Sequence, residues 1–121
     1  MQLINLTDHD VAIFKSRSST VPQKVIRPSG RIARLESRRI HPQHIGDGIL
    51  AYTQMYKAIQ GLPASREGIF YITAGVVRQY AVIIFGRTDV LSPGPKMYKS
   101  GRVVGCIGLN GPILPPEGGT P

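Results

Sequence analysis

Apolar residues in this chain come in short alternating or continuous runs, broken at close intervals by glycine, proline or polar clusters. That pattern predicts many short strands and few helices. Met1 to Asn5 and Val11 to Phe14 flank the polar Leu6-Thr7-Asp8-His9-Asp10 and predict two strands of a hairpin or meander. Val25 and Ile26 lead into Pro28-Ser29-Gly30, a strong turn signal. Ile32 to Leu35 alternates with Arg31 and Arg34 as a half-buried strand does. Ile49 to Tyr56, entered through Gly46-Asp47-Gly48, predicts another strand, and Gly61-Leu62-Pro63 breaks the chain after it. Ile69-Phe70-Tyr71-Ile72 is β-branched and aromatic, the composition of a buried strand.

The period then changes. Val76, Val77, Tyr80, Ala81, Ile84 and Phe85 follow the 3.6-residue spacing of an amphipathic helix, with Thr73 placed to cap its start and Gly86 to stop it. A helix this short has no stability of its own, so its stripe must pack on a sheet. Asp89 to Ser92 resumes extended structure, Pro93-Gly94-Pro95 predicts an exposed loop, and Val103 to Leu109 a last strand. The expectation is an α+β fold: a small β-rich domain with one main helix packed on an antiparallel or mixed sheet. One globular domain covers residues 1–109, and residues 110–121 form a Pro/Gly-rich tail.

Fifteen Lys and Arg against seven Asp and Glu give a net charge of +8. Such a field attracts polyanions, anionic membranes or phosphorylated small molecules. Arg outnumbers Lys by ten to five, which favours defined phosphate sites, because the guanidinium fork grips phosphate at two points. The one cysteine, Cys106, cannot form an internal disulfide, and it lies on an apolar strand as an inert buried thiol. The start lacks the apolar run of a signal peptide, and the longest apolar run, Ala81 to Phe85, is too short to cross a bilayer. A soluble intracellular protein is expected.

Catalytic motifs are missing from the sequence. No GxSxG, HExxH or GxxxxGK[ST] pattern occurs, and His9, His41 and His44 with one cysteine do not make a zinc ligand set. No metal, no cofactor and no enzymatic activity are expected. Arg87 and Arg102 draw more interest, since each follows a glycine at an element end, where turn amides and a guanidinium together make an anion-binding concavity. Asp89 can instead pair with Arg87 and hold the turn. Arg78 falls on the helix face opposite the stripe, free to meet a ligand or a partner subunit, whereas Tyr80 and Phe85 lie on or beside the stripe and suit core packing.

INLTDHDVAIF, PSGRIARLE, GLP, GIFYITAGVV, GRTDVLSP and GRVVG occur in that order from about residue 3 to 107. In order and spacing they resemble a family of small phage proteins, the Thoeris anti-defence protein one family, whose sponge members sequester immune signalling nucleotides. The resemblance implies a β-rich α+β fold that dimerises through a helix pair, some members forming hexamers from three dimers, in the host cytoplasm. It implies binding without hydrolysis of glycocyclic ADP-ribose, and in some members of cyclic trinucleotides at separate sites. Carried over residue by residue, it nominates Arg87, Thr88 and Arg102 from the two GR turns, Arg78 and Tyr80 from the helix, and Arg27 beside the PSG turn. YITAGVV and the rebuilt loop from Gly94 to Ser100 depart from the family pattern.

On this reading the arginines of the two turns converge across a subunit boundary on one phosphate-rich ligand. The alternative is a basic phage protein that binds nucleic acid through its +8 field. The chain carries no helix-turn-helix, zinc-finger or RRM signature to support it.

Overall fold

Ten strands and one helix follow one another as β1 (Gln2–Asn5), β2 (Val11–Phe14), β3 (Lys24–Ile26), β4 (Arg34–Gly46), β5 (Ile49–Gln60), β6 (Ile69–Ile72), α1 (Gly75–Phe85), β7 (Val90–Pro93), β8 (Lys96–Lys99), β9 (Arg102–Ile107) and β10 (Leu109–Asn110) in a computed structural model that describes residues 1–114. They form a sheet of order β1-β6-β7-β10, a second of order β3-β2-β9-β8, and a separate β4-β5 hairpin. The fold is therefore α+β with mixed sheets, as the residue pattern predicts.

β6 pairs in parallel with both β1 and β7. Parallel neighbours need a crossover, and α1 is the crossover between β6 and β7. Burial of adjacent residues on β6 shows that both of its faces are covered. Ile72 joins Val11, Ile13, Ile26 and Cys106 on the side of the second sheet. Tyr71 joins Leu6, Ala33 and Val77 on the other, with Leu35 and Ile59 of the hairpin root packed against them.

The expected hairpin of the first two strands does not form. β1 pairs only with β6, while β2 pairs with β3 and β9 in the other sheet. The cause is the buried Asn5 side chain. Its Nδ2 donates to the carbonyls of His9 (2.8 Å) and Ile26 (2.9 Å), and its Oδ1 accepts from the Thr7 amide (2.9 Å) and hydroxyl (2.6 Å). These bonds turn the chain out of one sheet and into the other, and Leu6 continues along β6 through its amide to the Ile72 carbonyl.

Two further expectations are corrected. Pro93-Gly94-Pro95 is an exposed loop only at Pro95: Pro93 belongs to β7, and Gly94 is buried at the bend into β8 with its amide on the Gly108 carbonyl. A side chain at Gly94 would strike the Ile107 and Gly108 carbonyl oxygens. The chain from β7 to β10 is thus one bent antiparallel ribbon shared between the two sheets. Nor is Thr73 a cap. Ala74 occupies the N-cap without a side-chain hydrogen bond, and the Thr73 hydroxyl donates to the carbonyls of Ala74 and Leu91. The C-terminal stop does form at Gly86, left-handed at φ 64°, where the Gly86 and Arg87 amides take the Val82 and Ala81 carbonyls.

The helical stripe is only half buried. Val77 and Ala81 are covered, but Val76, Ile84 and Phe85 are exposed, along with Ile83. The tail begins later than residue 110, since Asn110 pairs with Ser92 and Gly111 accepts a bond from Arg78. Its last part, 115–121, lies outside the described residues.

Candidate functional site

Arg87 follows the helix stop and is held by its own chain. Its Nε meets Asp89 Oδ1 at 2.7 Å, and a terminal nitrogen donates to Asp89 Oδ2 (2.9 Å) and to the Pro63 carbonyl (3.0 Å). The bond to Asp89 raises the Arg87 pKa further, and the same bond holds the Asp89 carboxyl below its ordinary value despite partial burial. This guanidinium braces the β7 turn to the Gly61-Leu62-Pro63 segment. Thr88, between the partners, is exposed.

Arg78 is engaged as well. Its Nε donates to the Ser92 hydroxyl and a terminal nitrogen to the Gly111 carbonyl, both at 2.8 Å. That clamp ties α1, β7 and the chain after β10 together, so Arg78 is not the free side chain the helical wheel suggests. Tyr80 meets Phe85 edge to face, ring centroids 5.7 Å apart. Arg27 is exposed just beyond β3.

Arg102 is exposed on the tip of the β8-β9 hairpin, opposite Lys99. Ser100 (φ 51°) and Gly101 (φ 76°) make the two-residue left-handed turn there. Lys99 reaches across to the Thr20 carbonyl and sits 5.4 Å from the Phe14 ring centroid, which steadies the tip. Arg87 precedes β7, whereas Arg102 follows the far turn of the ribbon. Within one chain the two arginines lie at opposite ends of that ribbon, because the ribbon continues from β7 into β8 where an exposed loop was expected.

A groove of about 1010 Å³ lies elsewhere, at the junction of the two sheets, the first turn of α1 and the hairpin root. Its floor and walls include Leu6, Ala33, Leu35, Val103, Val104 and Cys106. Charge enters from Asp8 and Asp10, and from Arg34 and Lys96. Ala74 to Val77 also line it, and the first amides of a helix have no intrahelical acceptor. No acidic residue occupies that first turn. The positive end of the helix dipole therefore faces the groove unneutralised by its own turn. None of the nominated residues lines this groove, although Arg102 and Arg78 stand next in sequence to its lining residues Val103 and Val77.

The Cys106 thiol, on the groove wall, donates to the Ala12 carbonyl at 3.6 Å, and burial pushes its pKa up. It is held as a neutral thiol, the unreactive form. Among the described residues, no group of three His, Cys, Asp or Glu side chains is placed to hold a metal ion. Among them, too, no helix is long and apolar enough to cross a membrane.

Composition and periodicity do not point to the groove. Its lining residues come from five separated segments, and pairing of β2 with β9 and docking of α1 bring them together. Comparison with protein-family models, with curated proteins and with solved structures gives no match. The fold and groove define a mixed α+β domain with a cleft of about 1010 Å³ at the junction of two sheets.

Proposed function

We propose that this chain is a phage binding protein that captures an immune signalling nucleotide of the glycocyclic ADP-ribose kind and holds it without cleaving it. The resemblance supplies the ligand class, and cyclic trinucleotides are a second class to test. The observation that carries the reading is the groove: its volume of about 1010 Å³ suits a ligand of dinucleotide size. Arg34, Lys96 and the open helix end offer positive charge to a pyrophosphate, and Asp8 and Asp10 offer acceptors to ribose hydroxyls. Arg102, next in sequence to the lining residue Val103, is the turn arginine this reading assigns to the ligand. Arg87 and Arg78 serve as braces, and the protein blocks Thoeris effector activation by mass action. Assembly through the exposed apolar face of α1 fits this reading, because a +8 chain meets its copies best through an uncharged surface.

The test is depletion. Purified protein incubated with glycocyclic ADP-ribose removes it from the filtrate and returns it intact on heating, read by mass spectrometry. No depletion, or recovery of a cleaved product, overturns the reading.

A nucleic-acid-binding role is the second reading, favoured by Lys15, Arg17 and Lys24, all exposed at one end of the β2-β3 pair. Polymer binding loses about 0.9 log units of affinity per log unit of salt for each duplex phosphate neutralised. Capture of one small ligand has a much shallower slope, so a salt titration separates the two.

A further inference from the structure

The chain has two asparagines, Asn5 and Asn110. Asn5 is buried, bonded at both ends of its amide and followed by leucine. Asn110 is exposed and followed by Gly111. In an Asn-Gly pair the backbone amide reaches the preceding side-chain carbonyl carbon most readily, because glycine puts no side chain in the way. Neither backbone geometry nor crowding requires glycine at 111. Its φ lies outside the left-handed region, and a Cβ there would meet nothing closer than Leu91 Cδ2 at 3.9 Å, an ordinary contact.

Asn110 ends β10, a two-residue strand at the edge of its sheet. Three contacts fix it there. It pairs with Ser92 of β7, its Nδ2 donates to the Pro93 carbonyl (3.1 Å), and the Gly111 carbonyl accepts from Arg78 (2.8 Å). For the Gly111 nitrogen to approach Asn110 Cγ, the side chain must leave the Pro93 carbonyl and Gly111 must turn off Arg78. So short an edge strand, exposed to water, opens at small cost, and attack takes place in that frayed state. Arg78 is itself anchored by the buried Ser92 hydroxyl, which makes it the latch on the opening.

We propose that Asn110-Gly111 is a self-modification site, latched by Arg78, whose reaction irreversibly releases β10 from β7. A base removes the Gly111 amide proton, and the nitrogen attacks Asn110 Cγ. The Cγ–Nδ2 bond breaks, and Nδ2 takes up a proton and leaves as ammonia. Water then opens the cyclic imide at either carbonyl, giving aspartate or isoaspartate. Aspartate replaces the Nδ2 donor with an oxygen that repels the Pro93 carbonyl. Isoaspartate routes the backbone through Cγ, adding a methylene that carries the Gly111 carbonyl off Arg78. Pro93 and Gly94 line the groove, and Leu109 is the sheet neighbour of Pro93, so a released β10 loosens that wall with time. The chemistry needs only water and does not depend on nucleotide capture.

The test incubates the folded full chain, without nucleotide, at mildly alkaline pH and follows its peptides by mass spectrometry. The expected result is the mass gain of an amide turned acid on the Asn110 peptide and not on the Asn5 peptide, with isoaspartate detected by its enzymatic methylation. Gly111→Ala is expected to slow the gain at least about tenfold, since a Cβ crowds the attack. Arg78→Ala, which removes one hydrogen bond to the strand, is expected to speed it about two- to tenfold while circular dichroism stays native. Ser92→Ala, which removes only the hydroxyl anchoring Arg78, carries the latch test if Arg78→Ala does not fold. Amide exchange in β7 and β10 is expected to quicken after conversion. No gain in the folded wild type, or an equal rate in Gly111→Ala, overturns the site. An equal rate in the latch variant overturns the role of Arg78, and unchanged exchange after conversion overturns the release.

Discussion

Arg87 and Asp89 form a two-point ion pair, 2.7 and 2.9 Å, whose side chains are only 18% and 13% exposed. A partly buried pair of this geometry is costly to break from one side, since the remaining charge loses its partner. Asp89→Asn is expected to lower stability by about 1–3 kcal/mol in urea unfolding at neutral pH. The pH dependence has a definite sign. Asp89 has its folded pKa depressed by Arg87 and by a Ser65 hydrogen bond, so its contribution is present above the unfolded carboxylate value and is lost as pH falls through the folded one. The gap between wild type and Asp89→Asn should therefore be full at neutral pH and close progressively below about pH 4. A gap that is constant with pH would assign the effect to packing alone.

Asn5 is 1% exposed, and both ends of its amide are used twice. The donors and acceptors cannot be exchanged, because two carbonyls face Nδ2 while the Thr7 amide and hydroxyl face Oδ1. Asn5→Asp is nearly isosteric yet points an oxygen at the His9 and Ile26 carbonyls. It is expected to cost about 3 kcal/mol or more, well above Thr7→Ala at about 1–2 kcal/mol, by thermal or urea unfolding. Equal losses for the two variants would show that the Asn5 amide is not the element that separates the sheets.

The sequence makes local structure legible where residue type and backbone geometry are tightly coupled. Ile69 to Ile72 reads as a buried strand and is one. Gly86 reads as the helix stop and takes the left-handed conformation that role needs. Asp47-Gly48 reads as a turn into the next strand and forms it. Which strands become neighbours is not legible. Nothing in Met1 to Phe14 says that an asparagine amide, bonding to Ile26 twenty-one residues away, will split an apparent hairpin between two sheets. The Arg87–Asp89 pairing stands in the sequence as one of two readings, and the geometry selects the structural one. The groove is invisible because its charged residues are ordinary surface residues until β2 and β9 pair.

Charge reversal at the groove separates it from the arginines of the turns. Arg34→Glu with Lys96→Glu puts two anions where the proposed pyrophosphate lies. Nucleotide affinity is expected to drop by at least about a hundredfold, some 2.7 kcal/mol, with little loss of stability, since Arg34 and Lys96 are exposed. Arg102→Ala, next to the lining residue Val103, is expected to cost about tenfold. Arg87→Ala should instead lower the melting temperature and leave retention intact well below it. Isothermal titration alongside thermal unfolding reads all three. Retention lost with Arg87→Ala at full folding, and untouched by the groove pair, would move the site to the β7 turn.

The outer face of α1 offers the last test, because exposure and function pull in opposite directions there. Ile84 is 57% exposed and Ile83 65%, so neither contributes much to packing within one chain. A polar substitution at such a position ordinarily changes stability by no more than about 0.5 kcal/mol. If α1 meets a second copy, the same residue lies in a desolvated apolar contact, where a carboxylate costs several times as much. Ile84→Asp is therefore expected to unfold like the wild type at low protein concentration, yet to sediment as a monomer where the wild type is associated. Parallel loss of helix signal would mean that Ile84 packs within its own chain. An unchanged sedimentation coefficient would show that self-association does not run through the outer face of α1.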